Sequence, residues 1–237
     1  MSFADNPYAA PAQTTAALAA EDERAGFIVK TYAHLMGAIM AFVLIEAVLL
    51  SLPMTPALVQ QFFSIPYASF LLIGGFVAAS WIAESWARSS TSVAMQYLGL
   101  SLFVVAEAII FVPLLMMAIG FDPWIIPTAG ITTMGMFAVL TAVVFVTRKD
   151  FSFLRSFLIF GGIAAFVLIG VAILFQFSLG PIFTVAMIGF ACAYILYDTS
   201  NVLHHYRIGQ HVAASLALFA SVALLFWYVI RLFMSRD

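Results

Sequence analysis

From residue 27 onward the chain alternates between long apolar stretches and short polar breaks. Seven stretches, roughly 27–51, 66–87, 93–119, 124–147, 154–177, 180–202 and 212–234, each lie near or above the ~20 residues that an α-helix needs to cross a bilayer. The breaks carry turn chemistry: Pro53 and Pro56, Arg88-Ser89-Ser90, Gly120 to Pro123, Arg148-Lys149-Asp150, Ser178 to Pro181, and His204 to Gln210. The least marked break is Phe-Ser-Leu-Gly-Pro between the fifth and sixth stretches, where one long broken hairpin is the alternative. The pattern predicts an all-α membrane protein whose seven transmembrane helices fill residues 26–237. Gly75/Ala79, Gly161/Ala165 and Gly189/Ala193 have the small-xxx-small spacing that lets helix backbones approach, and Pro113 is expected to kink the third helix.

Composition agrees with the pattern. Of 237 residues, 65% are hydrophobic and 8% charged, against about 25% charged in a soluble domain. A formal net charge of −2 offers no basic surface to nucleic acid. The single cysteine, Cys192, excludes an intrachain disulfide and reads as a small packing residue. Lys and Arg placement sets the orientation. With the N-terminus cytoplasmic, Arg24, Lys30, Arg88, Arg148, Lys149, Arg155 and Arg207 all fall inside, and only Arg231 and Arg236 fall on the far side. The expected topology is therefore N-in and C-out. Residues 1–25, rich in Ala, Pro and Thr with an acidic Glu21-Asp22-Glu23 run, lack the basic start and apolar centre of a signal peptide. They are expected to form a disordered cytoplasmic tail, partly helical near 15–24.

Polar groups inside the stretches carry the candidate chemistry. A carboxylate in a spanning helix costs roughly 2.5–3.5 kcal/mol on insertion scales and marks a site by default. Asp198 lies in the polar run Tyr197-Asp198-Thr199-Ser200-Asn201, and helical spacing puts Tyr194, Asp198, Asn201 and His205 near one face. The plainer alternative is a helix end reaching for water. Glu107 sits near the midplane with no neighbouring charge, so a partner from another helix meets it or it holds a proton. Glu46 and Arg231 fall near one level and read as a structural ion pair between the first and last helices. Glu84 reads as a solvated helix end and His34 as a hydrogen-bonded interior histidine. Hydrolase elbows, zinc-protease and nucleotide-binding motifs are absent, which argues against an enzyme and a bound cofactor.

Two stretches are similar to signatures of the Bax inhibitor family, the transmembrane Bax inhibitor motif proteins, in a bacterial form. AYILYDTSNVLHHY, 193–206, resembles the Tyr-Asp-Thr run that ends the family's sixth helix. ALFASVALLFWYVIRLF, 217–233, matches the frame of its last helix through the aromatic stretch and Arg231. The resemblance implies a bundle in which six helices surround the last one, and a pH-sensitive calcium leak across a bacterial inner membrane. It also implies a proton-sharing aspartate pair on the sixth and seventh helices. Asp198 matches the first aspartate, but aligning on Arg231 puts Ser221 in place of the second, and the last helix has no carboxylate before Asp237. The coupled pair is thus lost, and Asp198 is left as the one candidate ligand for calcium, a cation that prefers several oxygens. The resulting expectation is a cation leak channel or exchanger with Asp198 as gate. Ser221, Asn201 and Tyr194 stand around it, and Glu107 is a second path carboxylate if it faces the same cavity. The alternative is a non-conducting interaction protein that modulates a membrane-anchored protease, for which the N-terminal tail would suit.

Overall fold

The computed structural model describes residues 14–89 and 92–235. Eight helices are present among them: α1 (Glu21–Ser51), α2 (Thr55–Phe63), α3 (Ala68–Ala87), α4 (Val93–Phe121), α5 (Ile125–Thr147), α6 (Leu154–Phe175), α7 (Gly180–His204) and α8 (His211–Met234). All but α2 are long and apolar enough to span a membrane. Helix α1 starts well before its apolar stretch, because Glu21, Asp22 and Glu23 complement the positive end of the helix dipole. Helix α2 is an addition to the sequence reading. Pro56 opens it within its first turn, where proline is favoured, so the break after α1 folds into a short helix of its own. The uncertain break resolves into two helices. Gln176 takes a left-handed conformation at the end of α6 (φ 55°), and Gly180 does the same at the start of α7 (φ 70°).

Helix α8 is the axis of the bundle. Fourteen of its residues are buried, and α7, α1, α5, α4 and α3 all pack on it. The sixth expected neighbour differs: α6 packs chiefly on α7 at the periphery and turns Phe157, Phe160, Phe166 and Phe175 outward. Such wide exposed apolar faces suit lipid, and they give α6 no second helix to cover.

Aromatic rings fill the seam between α8, α1 and α4. Phe42 meets Phe111 and Phe219 edge-on, with ring centroids 5.1 and 6.0 Å apart, while Phe111 stacks on Phe226 at 5.7 Å. Gly99 of α4 makes a close helix approach, where a Cβ would come 2.5 Å from the Ala83 carbonyl oxygen of α3. The three predicted small-residue contacts fare differently. Gly161 lies against the Phe190 ring, whereas Gly75 and Gly189 face open space.

The expected helical part of the N-terminal tail begins at Glu21, and the residues just before it are also placed. Residues 1–13 lie outside the described residues. Residues 14–16 pair with the turn between α7 and α8 through the bridge Thr15–Arg207, Ala16 is fully buried, and α1 is already helical at Glu21. Ordering this segment offsets its chain entropy by burying Ala16 and satisfying backbone groups of the turn.

Candidate functional site

Helix α7 splits its polar run among three neighbours. Asp198, 8% exposed, faces α8, where Ser221 donates a hydrogen bond to Asp198 Oδ2. Thr199 turns away toward Tyr32 of α1 and Thr141 of α5, and the three buried hydroxyls lie close together without a well-aligned hydrogen bond among them. Ser200 turns to the link between α5 and α6, where its Oγ accepts from the Phe151 backbone N–H at 2.9 Å.

The Asp198–Ser221 pair has a built-in ambiguity of direction. Ser221 Oγ is also 3.2 Å from the Ala217 carbonyl oxygen one turn earlier, and a hydroxyl has one proton to give. When Asp198 is ionised, Ser221 donates to it. When Asp198 carries a proton, its O–H can donate to Ser221, which then donates to Ala217. One proton thus sets the polarity of the link between α7 and α8. A small open cleft that reaches Ala217 is lined by Glu84, Ala87, Arg88, Ala213, Leu216 and Ala217. Glu84 and Arg88 pair at 3.7 Å on an exposed turn, and they are the charged groups whose fields reach Asp198.

The other expected members stand elsewhere. Tyr194 points to α6, its hydroxyl 3.5 Å from the Leu158 carbonyl oxygen, with the Phe190 ring edge-on at 5.1 Å. Asn201 is half-buried and contributes its backbone carbonyl, which accepts from the N–H groups of His205 and Tyr206. Glu107 is buried at 6% exposure, with no charged or hydrogen-bonding partner among the described residues. It does not share the Asp198 site. Phe103 and Phe111, one turn to either side of it, pack on Phe219 and Phe226 of α8. At about 100° per residue, Ser221 lies roughly 160° round α8 from Phe219, so α8 itself stands between the two carboxyl groups.

The expected ion pair between Glu46 and Arg231 does not form. Both Glu46 carboxyl oxygens are buried with no hydrogen-bond partner among the described residues. Arg231 lies near Tyr228, which packs on Phe183 of α7, whereas α1 meets α8 through Phe219 and Phe226. Equal depth does not make a pair when the two groups sit on different sides of the central helix. His34 is hydrogen-bonded as expected, to the Lys30 carbonyl at 2.6 Å and to the Tyr97 hydroxyl at 2.8 Å, and its ring lies 4.9 Å from that of His211.

Two residues that the sequence did not single out belong to this end of the bundle. Asp150 accepts from His205 Nε2 at 3.0 Å, so His205 closes the α5–α6 link rather than the Asp198 face. Slight burial would raise the Asp150 carboxyl, but the Ser152 N–H and His205 outweigh it and hold Asp150 below the usual aspartate range. An Asp two residues before a Ser is a turn signal, yet nothing local points to a partner 55 positions away. Tyr206, in the α7–α8 turn, has its hydroxyl pushed above the usual phenol range by burial first and then by the charge of Asp198. It is a polar neighbour of the site that no motif marks.

The family model described as "Inhibitor of apoptosis-promoting Bax1" matches residues 24–237, nearly all of the chain beyond its tail. The chain belongs to the Bax inhibitor family. It is similar to an uncharacterised protein of Pseudomonas aeruginosa, with 28% identity over 233 residues that cover 93% of this chain and 94% of the relative. It is also 34% identical over 117 residues to Bax inhibitor 1 of Schizosaccharomyces pombe, a stretch covering 47% of this chain and 43% of that one. A BI1-like protein of Arabidopsis thaliana is 32% identical over 120 residues, 48% of this chain and 46% of the relative. With the last two, the match thus spans less than half of either relative's length.

Within the Bax inhibitor frame the site is one carboxylate and one hydroxyl. Asp198, Ser221 Oγ and the Ala217 carbonyl offer few oxygens, below the six to eight that hold calcium firmly. Among the described residues no cluster of three or more His, Cys, Asp or Glu side chains could hold a metal ion.

Proposed function

We propose that this Bax inhibitor family protein is a pH-sensitive cation leak, with calcium as cargo, in a bacterial inner membrane. Asp198 is its gate carboxylate and Ser221 the hydroxyl that reads its protonation. The observation that carries this reading is the buried hydrogen bond between them, which joins α7 to the central helix at the position where the resemblance calls for a second carboxylate. The basic residues support a cytoplasmic placement for this end of the bundle, which holds Arg24, Lys30, Arg88, Arg148, Lys149, Arg155 and Arg207. The Glu84–Arg88 pair then lines the cytoplasmic approach to Asp198.

Calcium flux into liposomes containing the purified protein tests the proposal. Wild type is compared with Asp198→Asn and Ser221→Ala across pH 6 to 8. The expected result is a pH-dependent flux that Asp198→Asn makes independent of pH and Ser221→Ala shifts along the pH axis. No flux at any pH from folded protein overturns the leak and favours the second reading, a non-conducting partner of a membrane-anchored protease.

A further inference from the structure

The turn between α7 and α8 connects the helix that carries Asp198 to the helix that carries Ser221, and it is tied down at three successive points. His205 is held by Asp150. The Tyr206 carbonyl accepts from the Ala16 N–H at 2.9 Å, and the Ile208 N–H donates to the Thr14 carbonyl at 3.0 Å. These last two bonds flank Thr15 and Arg207 and make them a non-hydrogen-bonded antiparallel pair. The Leu18 and Ala19 N–H groups then reach back to the Thr15 carbonyl, which turns the chain into α1. Ala16 is 0% exposed, so the segment is packed into the core and not merely laid across it. Tyr206 is held from both sides, since its own N–H donates to the Asn201 carbonyl one turn past Asp198. Residues 14–16 precede residue 24, where the match to the family model begins.

We infer that residues 14–16 are an inhibitory strap: bound, they hold shut the turn that joins α7 to α8, and released, they let the turn open and admit water to the Asp198–Ser221 pair between those helices. The strap suits release. A two-bond strand pair is marginal by itself, and Ala16 is the one residue of the strap that is fully buried. It rests on the reading of Asp198–Ser221 as the gate, but access to the pair can be measured without any conduction.

The test uses the full-length chain carrying Cys192→Ser and Ser221→Cys, and follows labelling of the new thiol by a charged, water-soluble reagent in detergent solution. Adding Ala16→Pro removes the N–H that the Tyr206 carbonyl accepts and places a ring where no space exists. Labelling is expected to become about tenfold faster, equivalent to about 1.4 kcal/mol. An unchanged rate overturns the strap. A second variant strengthens the contact instead: Thr15→Cys with Arg207→Cys on Cys192→Ser. Non-hydrogen-bonded pairs stand about 4.5 Å apart at Cα, within reach of a disulfide. Oxidation is expected to cross-link the chain to itself and to slow hydrogen exchange of residues 205–210, and reduction to restore it. Failure to cross-link, or a cross-link that leaves exchange unchanged, overturns the strap. The two readings fail separately, because absent flux counts against conduction and an unresponsive thiol counts against the strap.

Discussion

A carboxyl group inside a helix bundle needs a donor, a cation, a proton or water. Asp198, Glu107 and Glu46 meet that need differently. Asp198 has Ser221, and the two can exchange the direction of their hydrogen bond. Glu107 and Glu46 have no such partner among the described residues. A buried polar group without one costs roughly 1–3 kcal/mol, so a side chain of similar length and no charge should fit the Glu46 site better. Glu46→Met is expected to raise the thermal midpoint in detergent, by about 1 kcal/mol of stability, followed by tryptophan fluorescence. A loss of stability would mean that Glu46 has a partner this structure does not show. At this scale the sequence marked all three carboxyl groups, because an ionisable residue in an apolar run is visible without any structure. It did not mark Tyr206 or Asp150, which sit in polar breaks where such residues are ordinary.

Among the elements, α3 and α4 form the most intimate pair. Their contact depends on Gly99, where a Cβ would come 2.5 Å from the Ala83 carbonyl oxygen and 2.6 Å from the Ala87 nitrogen. Both are backbone atoms and cannot swing aside. Gly99→Ala is expected to destabilise the protein by about 1–3 kcal/mol. Gly189→Ala, with nothing within 4 Å of its Cβ, is expected to be neutral or to stabilise by up to about 1 kcal/mol through helix propensity. Thermal unfolding of the two variants side by side checks the contrast; equal effects would mean that α3 and α4 can part at no cost. The spacing rule had picked Gly75 and Gly189 over Gly99. Small residues at helical intervals permit a close contact, but which of them meets a backbone depends on how each helix is rotated, and that is settled by the neighbours.

In the whole molecule, burial runs outward from α8 to α6. Ala214 of α8 is 0% exposed, while Phe160 of α6 is 71% exposed. Ala214→Phe is expected to abolish the folded, monodisperse protein in size-exclusion chromatography, because the central helix cannot shift without moving the five that pack on it. Phe160→Leu exchanges one lipid-facing apolar group for another and should leave the profile unchanged. A tolerated Ala214→Phe would show that α8 is not the axis.

The sequence by itself determined the spans, their order and the residues with chemistry to offer. Hydrocarbon thickness and the cost of unpaired polar groups act on each segment separately, so each leaves its mark locally in residues such as Asp198 and Glu107. Only the tertiary structure decided which of those residues meet. Ser221 reaches Asp198, Arg231 misses Glu46, Glu107 is screened by α8, and Thr15 joins Arg207. Each outcome depends on the rotation of one helix about its axis relative to another. That rotation is a property of the packed bundle, and a shared depth in the membrane does not specify it.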